Sequence, residues 1–344
     1  MPSGAINRLA ARRAPAATTR STTLPVPASF SFLRTVQSHG WFDLPPFYWD
    51  AQRARLTRTL SLPAAGPAAA HVTFAPAARG AAARLVVSLE AARPIVRSDT
   101  AAARRMLAHV FRLDEDLDSF YRSAGLVERP DLRWTAQRGA GRLLRSPDVY
   151  EDLVKMICTT NCTWALTRVM VSALVDRLGG DDTRGVRLFP DAETMAGRTP
   201  RFYRDVVRAG YRGVFLRSLA RRVARGDLDL AAWNDPRRPT ADIREEILSV
   251  DGAGRYVADN MLKLLGRYDG LGIDSWCRRK FSEMYHKGRA VGDLRIARFY
   301  EPFGAWRGLA LWCDITQDWF DGDKPLLPLG ETPGGTDKFP GAGG

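Results

Sequence analysis

The chain has 344 residues, which is long enough for a sizeable core and about two or three folding units. Hydrophobic residues make up 45% and charged residues 26%, and no apolar run approaches the ~20 residues of a membrane-spanning helix. These values predict a globular protein that makes no membrane contact. Lys and Arg outnumber Asp and Glu by 51 to 38, and the resulting net charge of +13 favours a polyanionic partner such as nucleic acid.

The two ends of the chain differ from the rest in composition. The first 42 residues contain five arginines and no acidic residue. We predict a disordered basic arm over residues 1–28, for which an organellar transit peptide is the alternative. Residues 325–344 are rich in Pro and Gly and are predicted to form a disordered tail.

The cysteines and histidines show no spacing typical of a metal or cluster site. Cys158, Cys162, Cys277 and Cys313 do not form the paired CxxC motifs of zinc sites. We therefore predict reduced thiols in an intracellular protein and no bound metal.

Short alternating segments between residues 29 and 90 predict a small antiparallel β domain over residues 29–95. The candidate strands are 29–36, 55–62, 70–76 and 83–90, separated by turns rich in Pro, Gly and Ala. In the last of them, Leu85, Val87 and Leu89 would share one face of the sheet. The aromatic-rich sequence HGWFDLPPFYWD, which lies between the first two candidate strands, is predicted to be a loop.

From residue 96 to residue 324 apolar residues recur every three or four positions, which predicts a mainly helical domain. One helix is predicted to start at Ser146-Pro147, a cap residue followed by proline, and to be interrupted at Thr159–Thr163. The expected fold class is therefore α+β, with the small sheet at the N-terminus and a helical body after it.

The strongest local pattern is ILSVDGAGRYVADNMLKLL, residues 247–265. It predicts two helices joined by a tight turn at Gly252-Ala253-Gly254, with the second helix starting near Arg255. The glycines let backbone N–H groups approach an anion, and the helix start adds its positive dipole end. The pattern alone is weak: it allows a grip on a phosphate backbone, and an ordinary helical corner with glycine at its cap is the alternative.

Asp274 follows Gly254 by twenty residues, which leaves room for one helix and a short returning loop. The residue would lie just before the next helix, where its carboxylate can cap the first turn. The same hydrogen bonds would hold an ionised carboxylate in place for catalysis, so the structural and the catalytic roles are compatible.

Three stretches in order resemble the helix–hairpin–helix (HhH-GPD) DNA glycosylase superfamily, which includes 8-oxoguanine DNA glycosylases and 3-methyladenine DNA glycosylase II. They are ICTTNCTWA, GYRGVFLRSLARRV, and SVDGAGRYVADNMLKLL with the following GIDSW. The likeness extends over residues 30–320. It implies a base excision repair enzyme that flips a damaged base out of double-stranded DNA. In that family an aspartate matching Asp274 stabilises the positive charge that develops on the sugar.

One departure from the family bears on the mechanism. The bifunctional members carry a nucleophilic lysine where this chain has Tyr256, and the guanidinium of Arg255 cannot act as an amine. We therefore expect a monofunctional glycosylase acting on a damaged purine, with alkylated bases such as 3-methyladenine first and 8-oxoguanine second. A bifunctional 8-oxoguanine glycosylase/lyase and a non-catalytic DNA-binding or damage-sensing protein are the alternatives.

The resemblance also implies roles for the remaining candidate residues. Tyr256 would stack on the flipped base and Asn260 would line its pocket, while Gly40 and Trp41 would belong to the loop that inspects it. Trp276 lines the pocket or belongs to the core.

At the gap left by the flipped base, the resemblance assigns Asn161 as the filler, Tyr211 as a wedge and Arg212 as the contact to the orphaned partner base. The second arginine that the 8-oxoguanine enzymes use for cytosine is replaced here by Leu166. A strict requirement for opposite cytosine is therefore not expected.

No cofactor is expected, apart from a structural monovalent cation that the resemblance allows at the hairpin. The protein is expected to be a monomer that is intracellular and DNA-associated.

Overall fold

The computed structural model describes residues 17–180 and 185–319. A five-stranded antiparallel sheet has the order β1-β5-β4-β3-β2. Its strands are β1 Thr18–Pro25, β2 Phe47–Asp50, β3 Arg55–Leu62, β4 Gly66–Ala75 and β5 Arg84–Ala91. Leu85, Val87 and Leu89 are fully buried between half-buried neighbours, so the predicted alternation is confirmed. The predicted tail and residues 1–16 of the predicted arm lie outside the described residues.

The sheet starts earlier than predicted, so residues 18–25 of the predicted arm are a strand. β1 pairs along its whole length with β5, with Thr22 opposite Val87, and Leu24 is buried. Four threonines, whose branched side chains favour strands, occupy this segment. The predicted strand at 29–36 is also wrong, because Phe32–Val36 form a short helix. Its buried residues Phe32, Thr35 and Val36 follow a helical period, which the alternating aromatics of this segment obscured.

A mainly helical body follows the sheet, as predicted, and the α+β fold class is confirmed. Its helices, together with the short α1 Phe32–Val36, are α2 Arg97–Val110, α3 Asp118–Tyr121, α4 Ala124–Glu128, α5 Trp134–Gln137, α6 Val149–Thr159, α7 Trp164–Leu178, α8 Ala192–Ala196, α9 Pro200–Asp205, α10 Arg212–Ala224, α11 Thr240–Leu248, α12 Arg255–Leu264, α13 Ser275–His286, α14 Asp293–Phe299 and α15 Arg307–Ile315. Short 3-10 helices lie at Gly40–Asp43, Pro130–Leu132, Ala231–Asn234, Glu301–Trp306 and Gln317–Trp319. Among the described helices, none has the length and apolar character needed to cross a membrane.

Helix α6 starts two residues later than the predicted cap at Ser146-Pro147. Its N-cap is Asp148, whose carboxylate accepts a 2.9 Å hydrogen bond from the Glu151 amide. The Ser146 amide instead donates to the Asp152 carboxylate at 2.9 Å. The acidic residues of the first turn therefore make the cap, which a serine–proline pattern alone did not reveal.

A buried ionic cluster joins the sheet to the helical body. Arg58 of β3 donates to Glu151 of α6 at 2.5 Å, and Lys155, one turn later, donates to the same carboxylate at 2.6 Å. All three side chains are at most 3% exposed. Burial alone would raise the pKa of Glu151, but the two cations hold it below its ordinary value. The carboxylate compensates two charges that could not otherwise be buried.

We expect Glu151→Gln to destabilise the fold by about 3–5 kcal/mol, because two buried cations lose their counter-charge. Urea unfolding of the purified protein measures this change. Glu283→Gln is the control, since its ion pair with Arg279 is exposed and 3.9 Å long. That change should cost less than about 1 kcal/mol. Equal losses in the two variants would contradict the importance of the buried cluster.

Candidate active site beside the glycine hairpin

A cavity lies where the loop of residues 38–44, here called the aromatic loop, meets helices α12, α13 and α15. Four tryptophans contribute to its wall: Trp41, Trp164, Trp276 and Trp312. Six of the predicted site residues line it together, namely Gly40, Trp41, Tyr256, Asn260, Asp274 and Trp276. Such a mostly apolar cavity with a few polar groups is typical of a binding site for a flat organic molecule.

Asp274 is the N-cap of α13, as predicted. Its Oδ1 accepts a 2.7 Å hydrogen bond from the Cys277 amide while the residue also lines the cavity. Burial raises the pKa of Asp274, and the Cys277 amide and the nearby cations Lys263 and Arg278 oppose that rise. The result is a carboxylate held in a fixed position at the wall of an apolar cavity. A group of this kind can stabilise positive charge that develops beside it.

Tyr256 and Asn260 lie one turn apart on the face of α12 that borders the cavity. The Asn260 amide donates to the Tyr256 carbonyl at 2.9 Å. Burial raises the pKa of Tyr256, and its hydroxyl shares a hydrogen bond with the side chain of Thr159, which also lines the cavity. Tyr256 is therefore a neutral aromatic wall at the position where the resemblance placed a stacking residue.

Lys263 borders the same cavity, and the sequence prediction missed it. The side chain is 3% exposed, and Nζ donates to the Leu271 carbonyl at 2.9 Å. Burial lowers the pKa of Lys263, while Cys277, Asp259 and Asp274 oppose this effect. The sequence held a signal for it, because Lys263 is the charged residue of the run MLKLL and continues the α12 face of Tyr256 and Asn260.

The aromatic loop is fixed against the helical body by two indole hydrogen bonds. Trp41 donates to Asp152 of α6 at 2.7 Å, and Trp164 of α7 donates to Asp43 at 2.8 Å. A Cβ at Gly40 would lie 2.4 Å from the Trp164 ring, so this close approach requires glycine. Gly40 and Trp41 thus reach the cavity as predicted, and Trp164 is a wall that the sequence did not indicate.

His39 is a second cavity residue missed at the sequence level. Its Nε2 hydrogen-bonds the Leu144 carbonyl at 2.6 Å, and its ring packs against Trp41 with centroids 4.9 Å apart. Burial lowers the pKa of His39 to about 3, so the imidazole is neutral at physiological pH. In the sequence, its position directly before the predicted site residues Gly40 and Trp41 could have indicated that His39 also lines the cavity.

Trp276 belongs both to the cavity wall and to an aromatic cluster, so the two alternatives for it are not exclusive. Its ring centroid lies 6.3 Å from that of Trp312 and 6.0 Å from that of Trp319. The Nζ of Lys263 lies 5.8 Å from the centre of the Trp312 ring, a cation–π contact within the same wall.

The hairpin has the predicted form, with α11 ending at Leu248 and α12 starting at Arg255. Gly252 has a φ of +82°, and a Cβ there would lie 2.4 Å from Phe215. Ala253 is buried, and its amide donates to the Val250 carbonyl at 2.9 Å. Gly254 and Arg255 are exposed, and a Cβ at Gly254 would meet no atom within 4 Å. The fold itself therefore requires glycine at 252, whereas open space surrounds Gly254.

The predicted interruption after α6 is confirmed and presents Asn161 at the surface. Asn161 has a φ of +46°, and its amide donates to the Tyr211 hydroxyl at 3.2 Å. Tyr211 is 51% exposed, so both side chains face solvent on the same side. Arg212 is only 4% exposed and donates to the Thr160 carbonyl at 2.8 Å, which supports this turn. Its contact with an orphaned base stays a prediction.

No metal centre appears in the part of the chain that the structure describes. No group of three or more His, Cys, Asp or Glu residues there could hold a metal ion. The four cysteines are free thiols, and Cys158, Cys277 and Cys313 are buried.

Neither a protein-family model nor a curated protein sequence matches the chain. Solved structures do share its fold. MBOgg1 in complex with a low-affinity DNA ligand is 19% identical, with a TM-score of 0.67 over 88% of this chain and 99% of that one. The 3-methyladenine DNA glycosylase from Archaeoglobus fulgidus is 18% identical, with a TM-score of 0.67 over 87% and 99%.

The 8-oxoguanine glycosylase/lyase from Clostridium acetobutylicum is 16% identical, with a TM-score of 0.64 over 87% and 98% of the two chains. These likenesses extend over nearly the whole length of each relative. At such low identity they show that the chain has the fold expected from the sequence resemblance.

Proposed function

We propose that this protein is a monofunctional DNA glycosylase that hydrolyses the N-glycosidic bond of a damaged purine in double-stranded DNA. One observation carries the proposal: Asp274 and Tyr256 line the same aromatic cavity. Tyr256 lies in the first turn of α12, which begins directly after Gly254, the hairpin residue with open space around it. A strand held at that corner would bring a flipped base within reach of the cavity.

The reaction follows from the positions of these groups. As the bond between sugar and base breaks, its electrons leave with the base and positive charge grows on the sugar. The carboxylate of Asp274 stabilises that charge and orients a water, whose oxygen bonds to the sugar carbon while the water loses a proton. That proton goes to the departed base if the base was neutral in DNA, and to solvent if the base was cationic. Tyr256 stacks on the departing base, and no cofactor takes part. A monovalent cation bound by the hairpin would help the hairpin to bind the DNA backbone and would take no part in breaking the glycosidic bond.

Two kinds of damaged base, alkylated purines and 8-oxoguanine, are the proposed substrates. The solved relatives include a 3-methyladenine DNA glycosylase and an 8-oxoguanine glycosylase/lyase, and both kinds of base are damaged purines. The neutral aromatic wall at Tyr256 is compatible with either. The exposed pair Asn161 and Tyr211 supports insertion into the duplex where the base has left.

Asp274→Asn should abolish base release and preserve DNA binding. Asparagine still caps α13, but it removes the charge opposite the developing cation, so we expect a rate loss on the order of 100- to 1000-fold. Single-turnover release from duplexes with one defined lesion, in the presence of a metal chelator, measures the rate. Because burial raises the pKa of Asp274 above 3.8, the wild-type rate should fall as the pH drops through that raised value.

The matched control is Asp191→Asn, because Asp191 also caps a helix with a 2.7 Å hydrogen bond, to the Thr194 amide, and lies outside the cavity. It should retain the wild-type rate. Unchanged release by Asp274→Asn would reject the enzymatic role and favour a non-catalytic DNA-binding protein.

The two hairpin glycines should respond differently to alanine. Gly252→Ala should destabilise the fold by more than about 2 kcal/mol, because it combines a positive φ with a clash against Phe215. Gly254→Ala should cost at most about 1 kcal/mol as a helix cap and yet weaken DNA binding. Thermal unfolding and fluorescence anisotropy with an abasic-site analogue measure the two effects.

Gly292→Ala is the control for Gly254→Ala, since Gly292 also caps a helix and a Cβ there would meet no atom within 4 Å. Its DNA affinity should not change. An equal loss of affinity in both variants would show that the hairpin makes no specific contact.

Borohydride should trap little covalent adduct between the wild-type protein and lesion-containing DNA. Tyr256 occupies the position where bifunctional glycosylases have their nucleophilic lysine. The amine that lines the cavity, Lys263, donates a hydrogen bond to the Leu271 carbonyl. Strand breaks should therefore appear only after alkali treatment, which denaturing gels reveal. Adduct formation as efficient as that of a bifunctional glycosylase assayed in parallel would overturn the monofunctional mechanism.

A further inference from the structure

We infer that Lys263 makes the cavity selective for neutral damaged purines that present a carbonyl oxygen, and disfavours cationic methylated purines. This inference rests on the proposed function and narrows its two substrate classes to one. It starts from a residue that the sequence resemblance did not assign.

The first step is the hydrogen-bonding capacity of the ammonium group. Nζ carries three N–H donors, and among the described residues its hydrogen-bond acceptor is the Leu271 carbonyl, at 2.9 Å. The ring of Trp312, 5.8 Å away, covers another side of the group. The ammonium group of Lys263 therefore has N–H donors left for a ligand, at the wall of a cavity whose other sides are mainly aromatic. A carbonyl oxygen on a stacked base is the acceptor that such a donor would bind most strongly.

The second step is the charge balance of the cavity. Asp274 and Lys263 line it together and carry opposite charges, and each acts electrostatically on the other. When both groups are charged, their opposite charges balance, so the pair does not attract a positively charged base. Without Lys263, the carboxylate would remain alone and the cavity would suit a cationic base. In an apolar cavity a second cation beside the ammonium is strongly disfavoured.

Lys263 also has a structural role that the test must separate from selectivity. Its bond to Leu271 holds the loop that leads to Asp274, and a Cβ at Gly272 would lie 2.8 Å from Nζ. Loss of this anchor would slow the release of every base by the same factor. The ratio of rates on neutral and cationic bases, by contrast, reports only on the group that the base meets.

The experiment compares Lys263→Met with wild type on duplexes bearing hypoxanthine or 8-oxoguanine and on methylated duplex DNA that contains 3-methyladenine, a cationic base without a carbonyl oxygen. Single-turnover release is measured at about pH 7, above the ordinary pKa range of a carboxylate and below that of a lysine, so that Asp274 and Lys263 both carry their charges. Loss of a charged hydrogen bond should slow release of the two neutral bases on the order of 10- to 100-fold. Release of cationic 3-methyladenine should be slowed only by the loss of the anchor, so the neutral-to-cationic ratio of rates falls at least about tenfold.

Lys280→Met is the matched control, because Lys280 lies on α13 outside the cavity and pairs with Asp318 at 2.5 Å. It should leave both rates unchanged. Lys263→Gln, which keeps a donor for Leu271 without the charge, replaces Lys263→Met if the latter does not fold. Binding of an abasic-analogue duplex, which contains no base to read, confirms that each variant is folded.

Equal slowing of neutral and cationic bases would overturn the selectivity and leave Lys263 as an anchor. A wild-type protein that accelerates the release of 3-methyladenine over its spontaneous loss far more than it accelerates the release of both neutral bases would overturn it without any variant. Release of no base at all by the wild type would instead overturn the proposed function, and this inference with it.

Discussion

A single 2.7 Å hydrogen bond, from the Cys277 amide to the Asp274 carboxylate, holds the candidate catalytic group of this structure in place. It ends the loop that returns from α12, starts α13 and fixes the carboxylate against the cavity in one contact. Burial works against the charge of that carboxylate, and the Cys277 amide, Lys263 and Arg278 offset it. In the proposed reaction, the group is already oriented, so no free energy is needed to position it when charge develops beside it.

The cavity is built from both parts of the fold, and neither could form it alone. The helices supply Asp274 and Tyr256, whereas the sheet domain supplies the aromatic loop with Trp41. The loop reaches its place because indole hydrogen bonds attach it to α6 and α7 and because the buried Arg58–Glu151 pair ties β3 to α6. The small sheet therefore holds one wall of the cavity in position.

Much of this arrangement could be predicted from local patterns. The glycine hairpin, the cap at Asp274 and the break after α6 each depend on a few neighbouring residues whose backbone preferences are strong. Lys263 and His39 were missed because a charged or titratable residue in an apolar context is recognised only when its neighbours in space are known. Residues 18–36 were misassigned because strand pairing with β5 and packing of Phe32 are decided by distant parts of the chain.

The different reasons for the two hairpin glycines have a consequence for the history of such proteins. Glycine at 252 is demanded by the chain's own geometry, so it would persist in a descendant that had lost its original partner. Glycine at 254 meets only the weaker demand of a helix cap, which serine, threonine, asparagine or aspartate also meet, and would drift to these residues once nothing approached that corner. Among diverged copies of this fold, the second glycine rather than the first is therefore the marker of a retained interaction.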